Sequence, residues 1–343
     1  MMKMTVGFRV NADARIGGGH VMRCLTLARE IVRRGGECAF LVNAEAAATA
    51  PALARSGLQI LQAPENAAGA CAMVREALPS PFDWMVFDVY ALGAAYERPF
   101  RDVARRIAVI DDLTDRPHDC DLLIDTTLGR AASDYNGLVA PATEILAGPG
   151  FAMLRPDFAA ARAHSLGRRA MAVGLRTIFV SLGLTDVGGI TAKIVSALAQ
   201  QPGEVRFDVV LGPNAISEAE VRVRAQIDPR VTLHIDPRDI VSLMASADLA
   251  IGAAGTTSWE RCCLGLPTVL VVLADNQRLM AQRLAAAAAV VAADAAAPEA
   301  IAAIAARLIC STDELTRMSL AARGVCDGLG ASRVADCMER LAR

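Results

Sequence analysis

Aromatic side chains are scarce: Phe, Trp and Tyr make up 4% of the 343 residues, and there are only 4 His. So few rings leave no obvious interface anchor, and a monomer is the default expectation. Nor does one sign of charge dominate. The 35 Lys and Arg face 37 Asp and Glu, a formal net charge of −2, which gives no electrostatic case for a nucleic-acid partner. Cys-x-x-Cys spacing is missing. The 9 Cys are an odd number, Cys262 and Cys263 are adjacent, and the others are scattered. That pattern argues against a disulfide framework or a zinc knuckle and suits a reduced, cytoplasmic setting. A long uninterrupted apolar run is missing as well. The worst stretch, 284–310, is mostly Ala and is broken by Asp294, Pro298 and Glu299, so no membrane insertion is expected. The N-terminal residues meet charge and glycine before any apolar run reaches signal-peptide length.

A hydrophobic content of 54% excludes a wholly disordered chain, and the length favours two domains. Short β-rich runs alternate with helical stretches. Strands are expected at 5–10, 37–42, 58–61, 83–88, 106–110, 121–125 and 144–146, with helices near 21–34, 44–56 and 68–78. A basic segment at 164–176 reads as a linker or linker helix, after which the pattern restarts. Strands are expected at 177–182, 207–211, 231–234, 248–251 and 268–273, with helices at 190–198 and 276–289. This is the pattern of an α/β protein with parallel sheets. The expected division is 1–163, a linker at 164–176, 177–325, and a C-terminal helix at 326–343. The two Rossmann-like domains are expected to face a cleft that holds the ligand. The Ala-rich residues 284–306 are expected to pack as close-spaced helices.

The loop at 11–19 joins a strand to a helix and contains Gly17, Gly18 and Gly19. Such a loop permits close backbone approach, and the following helix start favours an anion. It matches neither the dinucleotide fingerprint nor the P-loop. His20 follows immediately. A helix N-terminus disfavours imidazolium, which suits a neutral base, though a capping or packing histidine fits the same position. Arg23, one turn on, can hold a phosphate or carboxylate, or be a salt-bridged helix residue. Asp13 can orient a group or cap the turn. Asp88, Asp111, Asp112 and Asp125 all lie at strand ends, where ligand contacts, a divalent metal or helix caps are each consistent. Tyr90 beside Asp88 is a candidate sugar contact. His118 lies among acids whose spacing matches no strong metal site.

In the second half, 181–186 is a strand-to-loop candidate for phosphate that includes Gly183. GAAGTTSWE at 252–260 is more informative. Its glycines, with Thr256, Thr257 and Ser258, make a cradle for a diphosphate, and Glu260 is placed to accept from ribose hydroxyls. A capping box of Thr257 and Glu260 also fits that last residue. Asn276 and Gln277 open a helix after another strand and can donate to sugar or phosphate. His234 reads as a packing residue. Together these loops describe a nucleoside diphosphate on the second domain, with its attached group reaching His20 on the first.

FRVNADARIGGGHVMRCLTLA, IDDLTDRPHDCDLLID, FAMLRPDFA, SADLAIGAAGTTSWERCCLGLPTVLVVLADNQ and DGLGASRVA resemble the nucleotide-sugar hydrolases of pseudaminic acid biosynthesis. These are the UDP-2,4-diacetamido-2,4,6-trideoxy-β-L-altropyranose hydrolases. The resemblance runs from Phe8 to about Ala335. It implies a glycosyltransferase type B (GT-B) fold, UDP on the second domain, and cleavage of the anomeric C1–O(phosphate) bond by water, with inversion. The released sugar would feed a condensing synthase, for a product that decorates flagellin or other surface glycans. By position it implies His20 as the catalytic base, with Asp13, Gly18, Gly19, Arg23, Tyr90, Asp125, Asn276 and Gln277 on the sugar side. Gly183, Gly255, Thr256, Thr257, Ser258 and Glu260 would hold UDP. No cofactor and no metal are implied. The sequence departs from the family at Val89, Thr126, Thr127 and Leu184, where relatives carry polar residues or glycine. A glycosyltransferase and a non-catalytic nucleotide-sugar binder are the alternatives.

Overall fold

Along residues 82–88 (FDWMVFD) alternate side chains pass to opposite faces of a sheet, as a half-turn per residue requires. Trp84 and Val86 enter one core, and Met85 and Phe87 enter another. The structure, a computed structural model, describes residues 3–13, 17–77, 80–171, 176–183, 185–295 and 297–343. It divides into two units, Met1–Leu154 with Leu329–Arg343, and Arg155–Gly328.

The first unit contains β1 (Thr5–Val10), α1 (Gly19–Arg33), β2 (Glu37–Val42), α2 (Ala46–Thr49), α3 (Pro51–Ala54), β3 (Gln59–Gln62), α4 (Ala67–Ala77), β4 (Phe82–Asp88), α5 (Ala94–Glu97), β5 (Ala104–Ile110), β6 (Leu122–Asp125) and β7 (Glu144–Ala147). The seven strands are parallel, in the order β3-β2-β1-β4-β5-β6-β7. The order reverses between β1 and β4, so loops leaving their carboxyl ends flank the topological switch point. Asp88 shares the parity of Trp84 and Val86 and therefore faces α1. Proline splits the helix expected at 44–56, because Pro51 offers no N–H and starts a new turn.

The second unit contains α6 (Pro156–Met171), β8 (Thr177–Ser181), α7 (Ile190–Ala199), β9 (Arg206–Leu211), α8 (Glu218–Ile227), β10 (Val231–Ile235), α9 (Ile240–Ser246), β11 (Leu249–Ala253), α10 (Thr257–Cys263), β12 (Thr268–Val272), α11 (Arg278–Ala286), β13 (Val290–Asp294), α12 (Pro298–Ile309) and α13 (Thr312–Val325). Its order is β10-β9-β8-β11-β12-β13, again all parallel. The switch point lies between β8 and β11, the strands that precede the Gly183 loop and GAAGTTS.

Three further expectations change. The boundary falls at Leu154, and the segment expected as a linker is mostly the last two turns of α6. Arg168 donates to the Ala245 and Ala247 carbonyls and pairs with Asp248 at 2.7 Å, which anchors α6 in the second unit; residues 172–175 lie outside those described. The Ala-rich residues are not all helix. Val290 and Val291 start β13, which pairs with β12, because β-branched residues beside an open strand edge outweigh the helical preference of Ala.

The third change concerns the C-terminal helix, α14 (Gly330–Leu341). It packs into the first unit, where Ala331, Val334, Ala335, Cys337 and Met338 join the core with Leu25, Leu27 and Phe8. Arg34, at the end of α1, donates to Ser332 Oγ at 2.8 Å and pairs with Asp336 at 2.6 Å. Val334→Asp would bury a carboxylate without a partner, at a cost of several kcal/mol. A large fall in the urea midpoint of the first unit is expected. It can be read from Trp84 fluorescence in a Trp259→Phe background, since the two tryptophans lie in different units. Among the described residues no helix is long and apolar enough to cross a membrane.

Candidate functional site

α1 starts after a glycine turn. Gly17 has φ +75°, a left-handed conformation that disfavours a Cβ, and its N–H donates to the Asp13 carbonyl at 2.8 Å. Gly18 is the N-cap, no side chain caps the helix, and its first turn carries no acid. Gly19 and His20 are the first helical residues.

His20, Arg23 and Cys24 project from α1 towards the end of β4, and Asp88 meets all three. Its Oδ1 is 2.6 Å from His20 Nδ1. Arg23 grips both carboxylate oxygens, at 2.6 and 2.7 Å, and Cys24 Sγ is 3.4 Å from Oδ2. Arg23 also donates to Asp112 at 2.7 Å, and Asp112 accepts from the Tyr90 hydroxyl at 3.1 Å. The Tyr90 ring stands edge-on to His20, with centroids 4.5 Å apart. Burial raises Asp88, but the Arg23 guanidinium and His20 outweigh it and hold the carboxyl well below the usual range. Burial alone would lower Arg23; Asp112 and Asp88 raise it far above its ordinary value. Burial beside Asp112 also pushes the Tyr90 phenol up.

An ionised Asp88 so close to Nδ1 requires a proton between them, which Nδ1 supplies. Arg23 Nη2, 3.1 Å from Nδ1, then serves the carboxylate and not the ring. In the neutral imidazole this selects the Nδ1–H tautomer, which places the lone pair on Nε2. Nε2 has no hydrogen-bond partner among the described residues. A histidine oriented by a carboxylate, with its second nitrogen open, has the geometry of a general base.

Asp125 sits apart from His20. It is fully buried and accepts from Thr127 N–H and Tyr135 Oη, both at 2.8 Å, and from Arg130. Arg130 in turn donates to the Asp112 carbonyl at 3.1 Å, so Asp125 supports the site from behind. Burial, followed by Asp112, raises its pKa. Thr126 and Thr127 are buried, and Val89, one residue beyond Asp88, opens a turn to Leu92. His118 is internal, with Nδ1 2.7 Å from the buried Glu97. His234 is 2.9 Å from Asp208. Among the described residues no group of three or more His, Cys, Asp or Glu is placed to hold a metal ion.

In the second unit, Gly255, Thr256, Thr257, Ser258 and Glu260 share one turn after β11. The alternative capping box does not form. Thr256 is the N-cap and makes no side-chain cap bond, and the Glu260 carboxyl has no hydrogen bond among the described residues. Burial pushes Glu260 up to about 7. Gln277 Oε1 accepts from Leu273 N–H at 2.9 Å, so its amide oxygen is engaged, while its NH₂ has no partner among the described residues. The Asn276 side chain and Leu184 lie outside the described residues. Gly183 has φ +106° and open space around it. The helix after it, however, already carries an anion of its own. Buried Asp186 accepts from Thr191 Oγ1 at 2.6 Å and from the N–H groups of Thr191 and Ser217, both at 3.1 Å.

Glu260 gives a pH prediction. The sequence leads one to expect a ribose on Glu260; a hydroxyl donates best to the ionised carboxylate, so such binding would favour deprotonation. Uridine, which carries no phosphate to titrate, is expected to bind more tightly as pH rises through about 7. Glu260→Gln is expected to flatten that profile in calorimetry. A profile unchanged by the substitution would remove Glu260 from the nucleoside.

Sequence reasoning left Asp88 and Asp112 outside the binding set, although the alternation along β4 aims Asp88 at α1. It gave no role to Arg261, which lies under the GAAGTTS turn.

No family model matches the chain. It is 23% identical over 291 residues to UDP-2,4-diacetamido-2,4,6-trideoxy-β-L-altropyranose hydrolase of Campylobacter jejuni, covering 82% of this chain and 96% of that protein. It is 24% identical over 288 residues to the spore coat polysaccharide biosynthesis protein SpsG of Bacillus subtilis, covering 82% and 81%. These matches agree with the resemblance seen in the sequence motifs. Among solved structures, MurG of Acinetobacter baumannii superposes with a TM-score of 0.69 at 17% identity, covering 98% of this chain and 99% of that one. The fold is that of GT-B proteins, with two Rossmann-like domains.

Proposed function

We propose that this chain hydrolyses a UDP-linked 2,4-diacetamido-2,4,6-trideoxy sugar of the L-altro type at the bond between C1 and the phosphate oxygen. The observation that carries this reading is the His20–Asp88 pair, with Nδ1 tied to the carboxylate and Nε2 open. The name of the Campylobacter jejuni relative supports it.

In this mechanism Nε2 takes a proton from water as the water oxygen attacks C1. The C1–O bond breaks, its electron pair goes to the phosphate oxygen, and UDP departs. A single displacement inverts C1. Asp88 stabilises the imidazolium that forms, and Arg23 keeps Asp88 ionised. Charge on the departing UDP is met by the hydroxyls and N–H groups at 255–258, and the step calls for no metal. Glu260 accepts from the ribose, and Gly183 contributes backbone only. On the sugar side Tyr90, Gly18, Gly19, Asp13, Asn276 and the free Gln277 NH₂ make contacts, while Asp125 acts through Arg130. The free sugar passes to a condensing synthase in the cytoplasm.

The test is phosphorus NMR with the UDP-sugar in ¹⁸O water and no acceptor. UDP is expected to appear unlabelled, with the label on the sugar. Label on the phosphate would mean P–O cleavage. Release that requires an added hydroxyl acceptor would make the chain a transferase. Either result overturns the proposal.

A further inference from the structure

Arg261 is among the largest side chains fully buried in the protein, and no carboxylate lies within ion-pair distance of it among the described residues. Burial without a counter-charge is costly, and such an arginine normally brings an acid with it. Its bonds run instead to the turn above. Nη2 donates to the Ala253 carbonyl at 2.8 Å and to Ser258 Oγ at 3.1 Å, and Nη1 donates to Thr257 Oγ1 at 3.2 Å. Nε has no partner. β11 makes room for this group, since a Cβ on Gly252 would lie 2.2 Å from Nη1 and 2.8 Å from Cζ.

The chemistry of those bonds has one direction. A guanidinium only donates, and a hydroxyl has two acceptor sites and one O–H. Ser258 Oγ receives both Arg261 and the Gly255 N–H, the latter at 3.3 Å. Its acceptor sites are filled, so it can only donate. Thr257 Oγ1 already receives Arg261. Neither hydroxyl has an acceptor among the described residues. Two O–H donors therefore lack an acceptor, above a positive charge that has no ion-pair contact and feels the neighbouring Glu260 only through space. A neutral ligand would leave the cation uncompensated, whereas an anion completes the set.

We infer that Arg261 is a positioning residue that fixes Thr257 and Ser258 as donors and commits this turn to a diphosphate. The inference rests on the reading that the turn holds the nucleotide of the substrate. Arg261 touches no ligand in this scheme and acts through the two hydroxyls.

The experiment is calorimetry of uridine, UDP, ADP and GDP with the full chain and four variants: Arg261→Met, Thr257→Val, Ser258→Ala, and Arg261→Met with Ser258→Ala. Arg261→Met is expected to weaken UDP about 10- to 100-fold, the size of losing charge-assisted hydrogen bonds, with uridine unchanged. Ser258→Ala is expected to cost less in the Arg261→Met background than alone, as coupled groups do. UDP affinity left intact by Arg261→Met would overturn the inference and spare the UDP reading. Equal loss of uridine and UDP would also overturn it, since that marks general support of the fold. If ADP or GDP binds in place of UDP and only its diphosphate contribution is lost, the UDP reading falls and the inference stands. Wild-type protein that binds no nucleoside diphosphate overturns both. If Arg261→Met does not fold, Thr257→Val and Ser258→Ala decide, because each must weaken UDP selectively.

Discussion

Replacing His20 by alanine is expected to lower kcat on the UDP-sugar by about 10²- to 10⁴-fold, the range supplied by a positioned general base. UDP affinity is expected to persist, because the proposed nucleotide ligands belong to the other unit. Without His20 the buried Asp88 carboxylate still accepts from Arg23 at both oxygens, so the variant should fold. Steady-state kinetics beside calorimetry separate the two effects. Turnover within tenfold of wild type would assign the base elsewhere. Added imidazole is expected to restore part of the rate to the alanine variant, because the missing group is a proton acceptor and removal of the ring leaves a space of its own size.

Asp88→Asn is expected to be nearly as damaging to turnover and worse for stability. An amide oxygen facing His20 Nδ1–H leaves its NH₂ pointing at the Arg23 guanidinium, donor against donor. The reverse orientation satisfies only Arg23 Nε, sets the NH₂ against Arg23 Nη2 and turns the imidazole into the wrong tautomer. By analogy with the aspartate of hydrolytic triads, wrong tautomer selection costs up to about 10⁴ in kcat. Breaking a buried charge pair from one side costs about 3–5 kcal/mol, and Arg23 has only Asp112 left. Urea unfolding and kinetics on the same samples test both parts. Full activity with reduced stability would make Asp88 a packing partner only. The sign with pH also follows. The folded pKa of Asp88 lies below its unfolded value near about 4. Its contribution to stability is therefore complete above that value and is lost as pH falls through the depressed folded pKa.

Much of this was legible because strands and loops are local. TVGFRV, ECAFLV and TIFVSL announce buried parallel strands by composition, and the glycines before His20 mark a strand-to-helix turn. The Asp88 contact needed one more step, following the alternation Trp84, Val86, Asp88 across the sheet to α1. Arg261 gave a weaker signal, an arginine in the apolar run SWERCC preceded by a glycine at a strand end. β13 was hidden because a run of Ala carries no alternation to follow. The return of α14 to the first unit was not legible from local pattern. Its amphipathic face shows that it docks but does not say on what, and its partners lie some three hundred positions earlier, as with Arg34 and Asp336. Asp186 illustrates a different limit. A glycine-rich strand end reads as an anion site until the fold shows that the chain has supplied the anion.

The placement of α14 sets an order of events during synthesis. The ribosome delivers β1 to β7 and α1 first, yet the apolar face of α1 around Leu25 and Leu27 waits for residues 330–341 to emerge. The stretch between them, Arg155–Gly328, is a continuous segment with its own sheet and core, and such segments fold as units while translation proceeds. The second unit therefore forms on a chain whose first unit is still unfinished. A translation stop before residue 330 would release a fragment with the GAAGTTS turn complete and the helix bearing His20 uncovered. Arrival of α14, and not only the folding of the second unit, thus gates closure of the first unit's core.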